Sequence, residues 1–159
     1  MDYLVDGHNL IGRMPGLALS DPDDEAKLVD LLGRCTLREP RHRITVVFDG
    51  GVYGHPSRLG SSGVRVIFAH PPRNADSVLE ELLKQVKNRG TTVLVSDDRA
   101  ITSVAADRGV RVVPCRVFAE LLMQPRAPRS KRPRRARPEP KLPGSEVDAW
   151  LKHFGASDE

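Results

Sequence analysis

Several shortages in this chain each exclude a class of protein. It has only two cysteines, Cys35 and Cys115, with no CxxC pair and apolar residues around both. Buried free thiols are therefore expected, not a disulfide framework or a thiolate metal site. The five histidines show no HxH or HxxxH spacing, which argues against zinc. There is no Gly-rich loop ending in Lys-Ser/Thr, so no nucleotide cofactor is expected. No apolar run approaches the ~20 residues of a membrane span. The opening Met1-Asp2-Tyr3-Leu4-Val5-Asp6 runs straight into a strand pattern, leaving no room for a signal peptide. The expectation is a cytoplasmic protein that does not touch membranes.

The net charge of +4 hides a division. Eight basic residues (Arg126, Arg129, Lys131, Arg132, Arg134, Arg135, Arg137 and Lys141) and one acid, Glu139, lie between Pro125 and Lys141. Elsewhere 17 basic and 20 acidic residues remain, a net of −3. A segment suited to polyanions is thus joined to a mildly acidic body. Six prolines between Pro125 and Pro143 keep that segment from forming a core.

Five runs rich in Val and Ile predict buried strands at Tyr3–Val5, Ile44–Phe48, Val64–Phe68, Thr92–Val95 and Val110–Val113. Helical spacing falls between most of them. Residues 25–35 place Leu28, Leu31, Leu32 and Cys35 on one face, after Ser20, Asp21 and Pro22 as start signals. Residues 76–89 place Leu79, Leu82, Leu83 and Val86 at i, i+3, i+4 and i+7, with Gly90 as the expected C-cap. Residues 99–108 and 116–123 continue the alternation. Nearly continuous apolar strands separated by helices predict an α/β fold with a mainly parallel five-stranded sheet covered on both faces. Residues 50–63 lack a helical period and read as a long loop. The expected organisation is a domain over 1–124, a basic Pro/Arg-rich linker over 125–143, and a short amphipathic helix over 144–159. In that last helix Val147, Trp150, Leu151 and Phe154 share a face after Ser145.

Three strands end in acids: Asp6 before Gly7, Asp49 before Gly50, and Asp97-Asp98 after Ser96. Asp76 begins the long amphipathic stretch. In a parallel sheet these ends share one edge, where ligands normally bind. An Asp after a strand also serves turns, and Asp76, Asp97 or Asp98 also suits a helix N-cap. Turn chemistry leaves the repetition unexplained. Clustered carboxylates raise one another's pKa unless a cation compensates, and Mg²⁺ or Mn²⁺ prefers such oxygens.

The segments Tyr3-Leu4-Val5-Asp6-Gly7-His8-Asn9-Leu10-Ile11, Val46-Val47-Phe48-Asp49-Gly50, Ala75-Asp76 and Val95-Ser96-Asp97 together resemble the NYN-domain family of the PIN-like nuclease superfamily, and its YacP-like bacterial branch most of all. The resemblance covers roughly residues 2–123. It implies a PIN-like three-layer sandwich and metal-dependent endoribonuclease activity. It further implies metal-binding acids at Asp6, Asp49, Asp76 and Asp97, with Asp98 adjoining and Asn9 as a polar partner. Members of the branch are associated with RNA cleavage, in some cases on the ribosome.

RNA would be held by Arg13, Arg58, Arg73 and Arg99 at the same edge, with His8 beside the acids and Tyr53 stacking on a base. Arg132, Arg134 and Arg135 of the basic segment add a tether. The competing expectation is a non-catalytic RNA- or ribosome-binding adaptor of the same fold, which would have no reason to keep mutually repelling acids.

Overall fold

The computed structural model describes residues 1–50 and 63–124. Along the chain run β1 (Asp2–Asp6), α1 (Gly7–Ile11), α2 (Asp24–Arg38), β2 (Arg43–Asp49), β3 (Val64–Ala69), α3 (Ala75–Gln85), a 3₁₀ turn (Arg89–Thr91), β4 (Thr92–Val95), α4 (Arg99–Asp107), β5 (Arg111–Val113) and α5 (Cys115–Met123). The five strands form one sheet in the order β3-β2-β1-β4-β5, and every pairing is parallel. The order reverses direction between β1 and β4, which makes the C-terminal ends of those strands the topological switch point.

The strands are apolar nearly throughout because each face is packed. Successive side chains alternate between the faces. Val5, Val46, Phe48, Val93 and Val95 join one core with Leu10, Leu28, Leu32 and Phe118 from α1, α2 and α5. Leu4, Val47, Ala69 and Leu94 join a second core with Leu79, Leu83, Ile101 and Ala105 from α3 and α4. This is the three-layer α/β sandwich expected from the sequence. The expected 50–63 loop, apart from its two ends, the basic linker and the last helix lie outside the described residues.

Two local expectations change. Helix α3 stops at Gln85, four residues before the apolar period suggests, and Gly90 is not its cap. Val86 leaves the helix in an extended conformation and packs against the second core. The carbonyl of Asn88 then accepts from the Thr91 N–H and from the hydroxyls of Thr91 and Thr92. Those bonds favour a tight turn over further helix. The second change is α1, one short turn that begins directly after Asp6, where sequence spacing gave no helix.

Gly7 makes that junction possible. A Cβ on Gly7 would stand 2.2–2.3 Å from ring carbons of Phe48, a side chain with no exposed surface. The ring occupies the volume a side chain would need, and buried rings do not yield easily. Gly7→Ala is expected to destabilise the protein by about 2 kcal/mol through overpacking. A urea melt should show a lower midpoint at unchanged slope, and an unchanged midpoint would mean the ring moves freely.

Candidate active site

Asp6 is the last residue of β1 and is 8% exposed. One of its oxygens accepts from the Asn9 N–H at 3.4 Å, capping α1. Asp49 ends β2, and its Oδ1 accepts from the Ala75 N–H at 2.5 Å, fastening the start of α3 to the end of β2. Asp76 lies one residue further along α3 and is not its cap. Asn74 and Ser77 form a reciprocal capping box there, so Asp76 is left for another role. Asp98 caps α4, accepting from Ala100 N–H at 2.8 Å.

These four acids, from four separate elements, act on one another. Burial and then repulsion from Asp98, Asp6 and Asp49 push the Asp76 carboxyl above its ordinary value, and Asp76 is also hydrogen-bonded to the Asp98 side chain. Burial chiefly, with repulsion from Asp49, raises Asp6 against the opposing hydrogen bonds from Asn9. The cost of holding these carboxylates together is the cost a divalent cation offsets. Among the described residues no three His, Cys, Asp or Glu side chains surround one point closely enough to hold an ion as they stand. In its chemistry the donor set nonetheless fits a hard, oxygen-preferring cation.

Asp97 is placed differently. Its Oδ1 accepts from the Cys115 N–H at 2.9 Å, and its Oδ2 pairs with Arg13 Nε at 3.1 Å. It ties β4 to the start of α5, while its neighbour Asp98 is the residue bonded to Asp76. Arg13 therefore already serves a carboxylate. Arg73 pairs with Glu81, and Arg99 is exposed at the start of α4. Tyr53, Arg58, Arg132, Arg134 and Arg135 lie outside the described residues.

His8 was expected beside the acids, and both its ring nitrogens are engaged. Nδ1 accepts from the Asp49 N–H at 3.4 Å, which leaves the proton on Nε2 to donate to Glu25 at 3.0 Å. The ring also leans on Phe48, at 5.3 Å between centroids. It joins α1 to β2 and α2.

Sequence reasoning missed two residues of the site. Ser96 is buried at the end of β4, and its hydroxyl accepts from Asn9 Nδ2 at 3.4 Å and from the Asp98 N–H at 3.1 Å. A single polar residue closing an apolar strand was the available signal. Glu25, buried in the first turn of α2, had no such signal. The thiol of Cys115 is pushed up to about 12 by burial and by Asp97 and Asp6, so it stays protonated and is no nucleophile.

A parallel sheet with acids gathered at its switch-point edge defines a PIN-like nuclease fold. The chain belongs to the YacP-like NYN domain family, whose model matches residues 3–150. That match runs past the boundary suggested by the motifs and takes in the whole basic segment, which has no periodicity by which to recognise it. The crystal structure of Rae1 (YacP) from Bacillus subtilis is similar, with a TM-score of 0.64 at 24% identity over 77% of this chain and 75% of that one. Its W164L mutant gives a TM-score of 0.59 at 25% identity over 76% of each chain. No curated protein matches. PIN-like nucleases of this kind generally depend on a divalent metal. No helix among the described residues is long and apolar enough to cross a membrane.

The raised Asp76 has a consequence for stability without metal. Between its ordinary value and its raised one, the folded state holds a proton that the unfolded state has released, so stability falls as pH rises through that window. Asp76→Asn should therefore raise the metal-free melting temperature at neutral pH. The gain should be a few degrees at most, because solvent screens a half-exposed group. It should shrink as pH falls toward the ordinary carboxylate range. A thermal melt of both proteins across that range checks it, and a lower melting temperature for the variant at neutral pH would contradict it.

Proposed function

We propose that this protein is a metal-dependent endoribonuclease that hydrolyses RNA phosphodiester bonds at the Asp6, Asp49, Asp76 and Asp98 edge. The observation that carries the reading is the set of four acids drawn from four elements, two of them raised by burial and mutual repulsion. A fold gains nothing from keeping such a set unless a cation uses it. The four carboxylates would hold Mg²⁺ or Mn²⁺. When bound, such an ion supplies a deprotonated water and neutralises charge at the scissile phosphate.

The chain's own groups have separate tasks. Asn9 and Ser96 clamp the ends of β1 and β4 together and so fix the spacing between Asp6 and Asp98. His8 and Glu25 hold the main chain at Asp49. In this reading Asp98, not Asp97, completes the acid set, because Asp97 is spent on Arg13 and on the start of α5. RNA is the substrate, and ribosome-associated RNA is the class that the resemblance to the YacP-like branch favours. The basic stretch 125–141 is the segment proposed to hold it, in the cytoplasm.

Purified protein with Mn²⁺ or Mg²⁺ should cut a labelled structured RNA, and EDTA or Asp6→Asn should abolish the cuts. Salt-sensitive RNA binding without cleavage, unchanged in Asp6→Asn, would favour the adaptor instead. Within the nuclease reading, Asp98→Asn should lower turnover by about a hundredfold or more. Asp97→Asn should instead cost about 1 kcal/mol of stability through its lost ion pair and helix-start bond. The opposite ranking of turnover in the two variants would return Asp97 to the acid set.

A further inference from the structure

Among the described residues strand β3 lies at the edge of the sheet, paired with β2 alone. Alternation sends Arg65, Ile67 and Ala69 to the face covered by α3. On α3, Val78, Glu81, Leu82 and Gln85 stand at i, i+3, i+4 and i+7, a single helix stripe. Between the strand row and the helix stripe lies a groove of about 420 Å³.

Its lining is divided by chemistry. The floor is apolar, from Ile67, Ala69, Val78 and Leu82, and the rim carries Arg65, His70, Arg73 and Gln85 with one acid, Glu81. Glu81 pairs with Arg73, while Arg65 is exposed and makes no ion pair with a described residue. The position of the groove connects it to the acids. Its His70 and Arg73 end adjoins the edge where Ala69 pairs with Asp49 and where Ala75 donates to Asp49. Its Arg65 end lies four residues back along β3, about 13 Å away at strand rise.

We propose that this groove is a subsite for single-stranded RNA flanking the cleavage point, with a nucleobase on the apolar floor and backbone phosphates against Arg65, His70 and Arg73. The inference rests on the nuclease reading and adds to it the path of the strand. An apolar floor accepts the face of any base, and arginines at its rim neutralise phosphates without reading sequence. Gln85 supplies both a donor and an acceptor at the rim, which suits a base edge. The charge of Arg65, which no described acid offsets, favours a phosphate backbone over a protein strand added to the edge of β3.

The test uses the full chain carrying Asp6→Asn, so that substrate is bound and not consumed, with a single-stranded oligoribonucleotide containing 4-thiouridine. Irradiation followed by mass spectrometry should place crosslinks in peptides spanning Arg65–Arg73 and Val78–Gln85. Adding Arg65→Glu should suppress those crosslinks, weaken binding about tenfold, and lower the salt slope of log K by about 1 to 2. Since Arg65 is exposed, the melting temperature should not change. Crosslinks confined to other peptides, with affinity and salt slope unmoved by Arg65→Glu, would overturn the groove. If the parent protein still cleaves RNA in that case, the nuclease reading survives without it. A protein partner lost on Arg65→Glu, with RNA affinity unchanged, would assign the groove to a protein strand and likewise overturn the proposal. A parent that neither binds nor cleaves RNA would remove both readings together.

Discussion

The contact on which the site depends is the approach of Gly7 to the ring of Phe48. Phe48 is wholly buried, and the chain at Gly7 passes where a Cβ would overlap its ring. Asp6 immediately precedes that glycine and Asp49 immediately follows that phenylalanine. Two of the acids are thus set by one packing contact between the start of α1 and β2. His8 rests on the same ring and bonds both the Asp49 main chain and Glu25, so α2 is fastened to the same point. A carboxylate cluster held by flexible loops would separate under its own repulsion. Here the acids stand on strand ends and helix starts, which are anchored by two packed cores.

Parallel topology does the rest. With the order β3-β2-β1-β4-β5, the C-terminal ends of β1 and β4 flank the crossover reversal, and β2 lies beside them. Asp49 then reaches from β2 to the first N–H of α3 and brings Asp76 to the same edge. Each local bond therefore has a positional effect: the cap at Asn74 frees Asp76, the cap at Asp98 fixes its side chain, and the Ser96 hydroxyl links Asn9 to the Asp98 main chain. The Asp97–Arg13 pair is half-exposed and contributes little stability. The same carboxylate fastens the start of α5 to the end of β4 through the Cys115 N–H.

Much of this was legible in the sequence. The near-continuous Val and Ile runs foretold a parallel sheet with two covered faces, and the acids closing β1 and β2 foretold the edge. That Asp98 bonds Asp76 while Asp97 bonds Arg13 was not legible, because consecutive residues after a strand point in opposite directions and spacing alone does not say which turns where. The role of His8 was hidden for a similar reason. Its partners Glu25 and Asp49 are 17 and 41 residues away, and nothing in the local pattern announces either. Helix α3 ends early where Val86 turns extended onto the second core and the Asn88 carbonyl holds a tight turn, tertiary features that periodicity does not record.

In the proposed enzyme Asp6, Asp49, Asp76 and Asp98 form a cation site. Diffraction at the manganese absorption edge from crystals soaked in Mn²⁺ tests this directly, because it locates the ion without relying on activity. Anomalous density is expected at this edge with ligands from Asp98 and from Asp6, Asp49 or Asp76, while Asp97 stays on Arg13 and the Cys115 N–H. Saturating Mn²⁺ with no density there, or density bound through Asp97 with Asp98 left only as a helix cap, would contradict it.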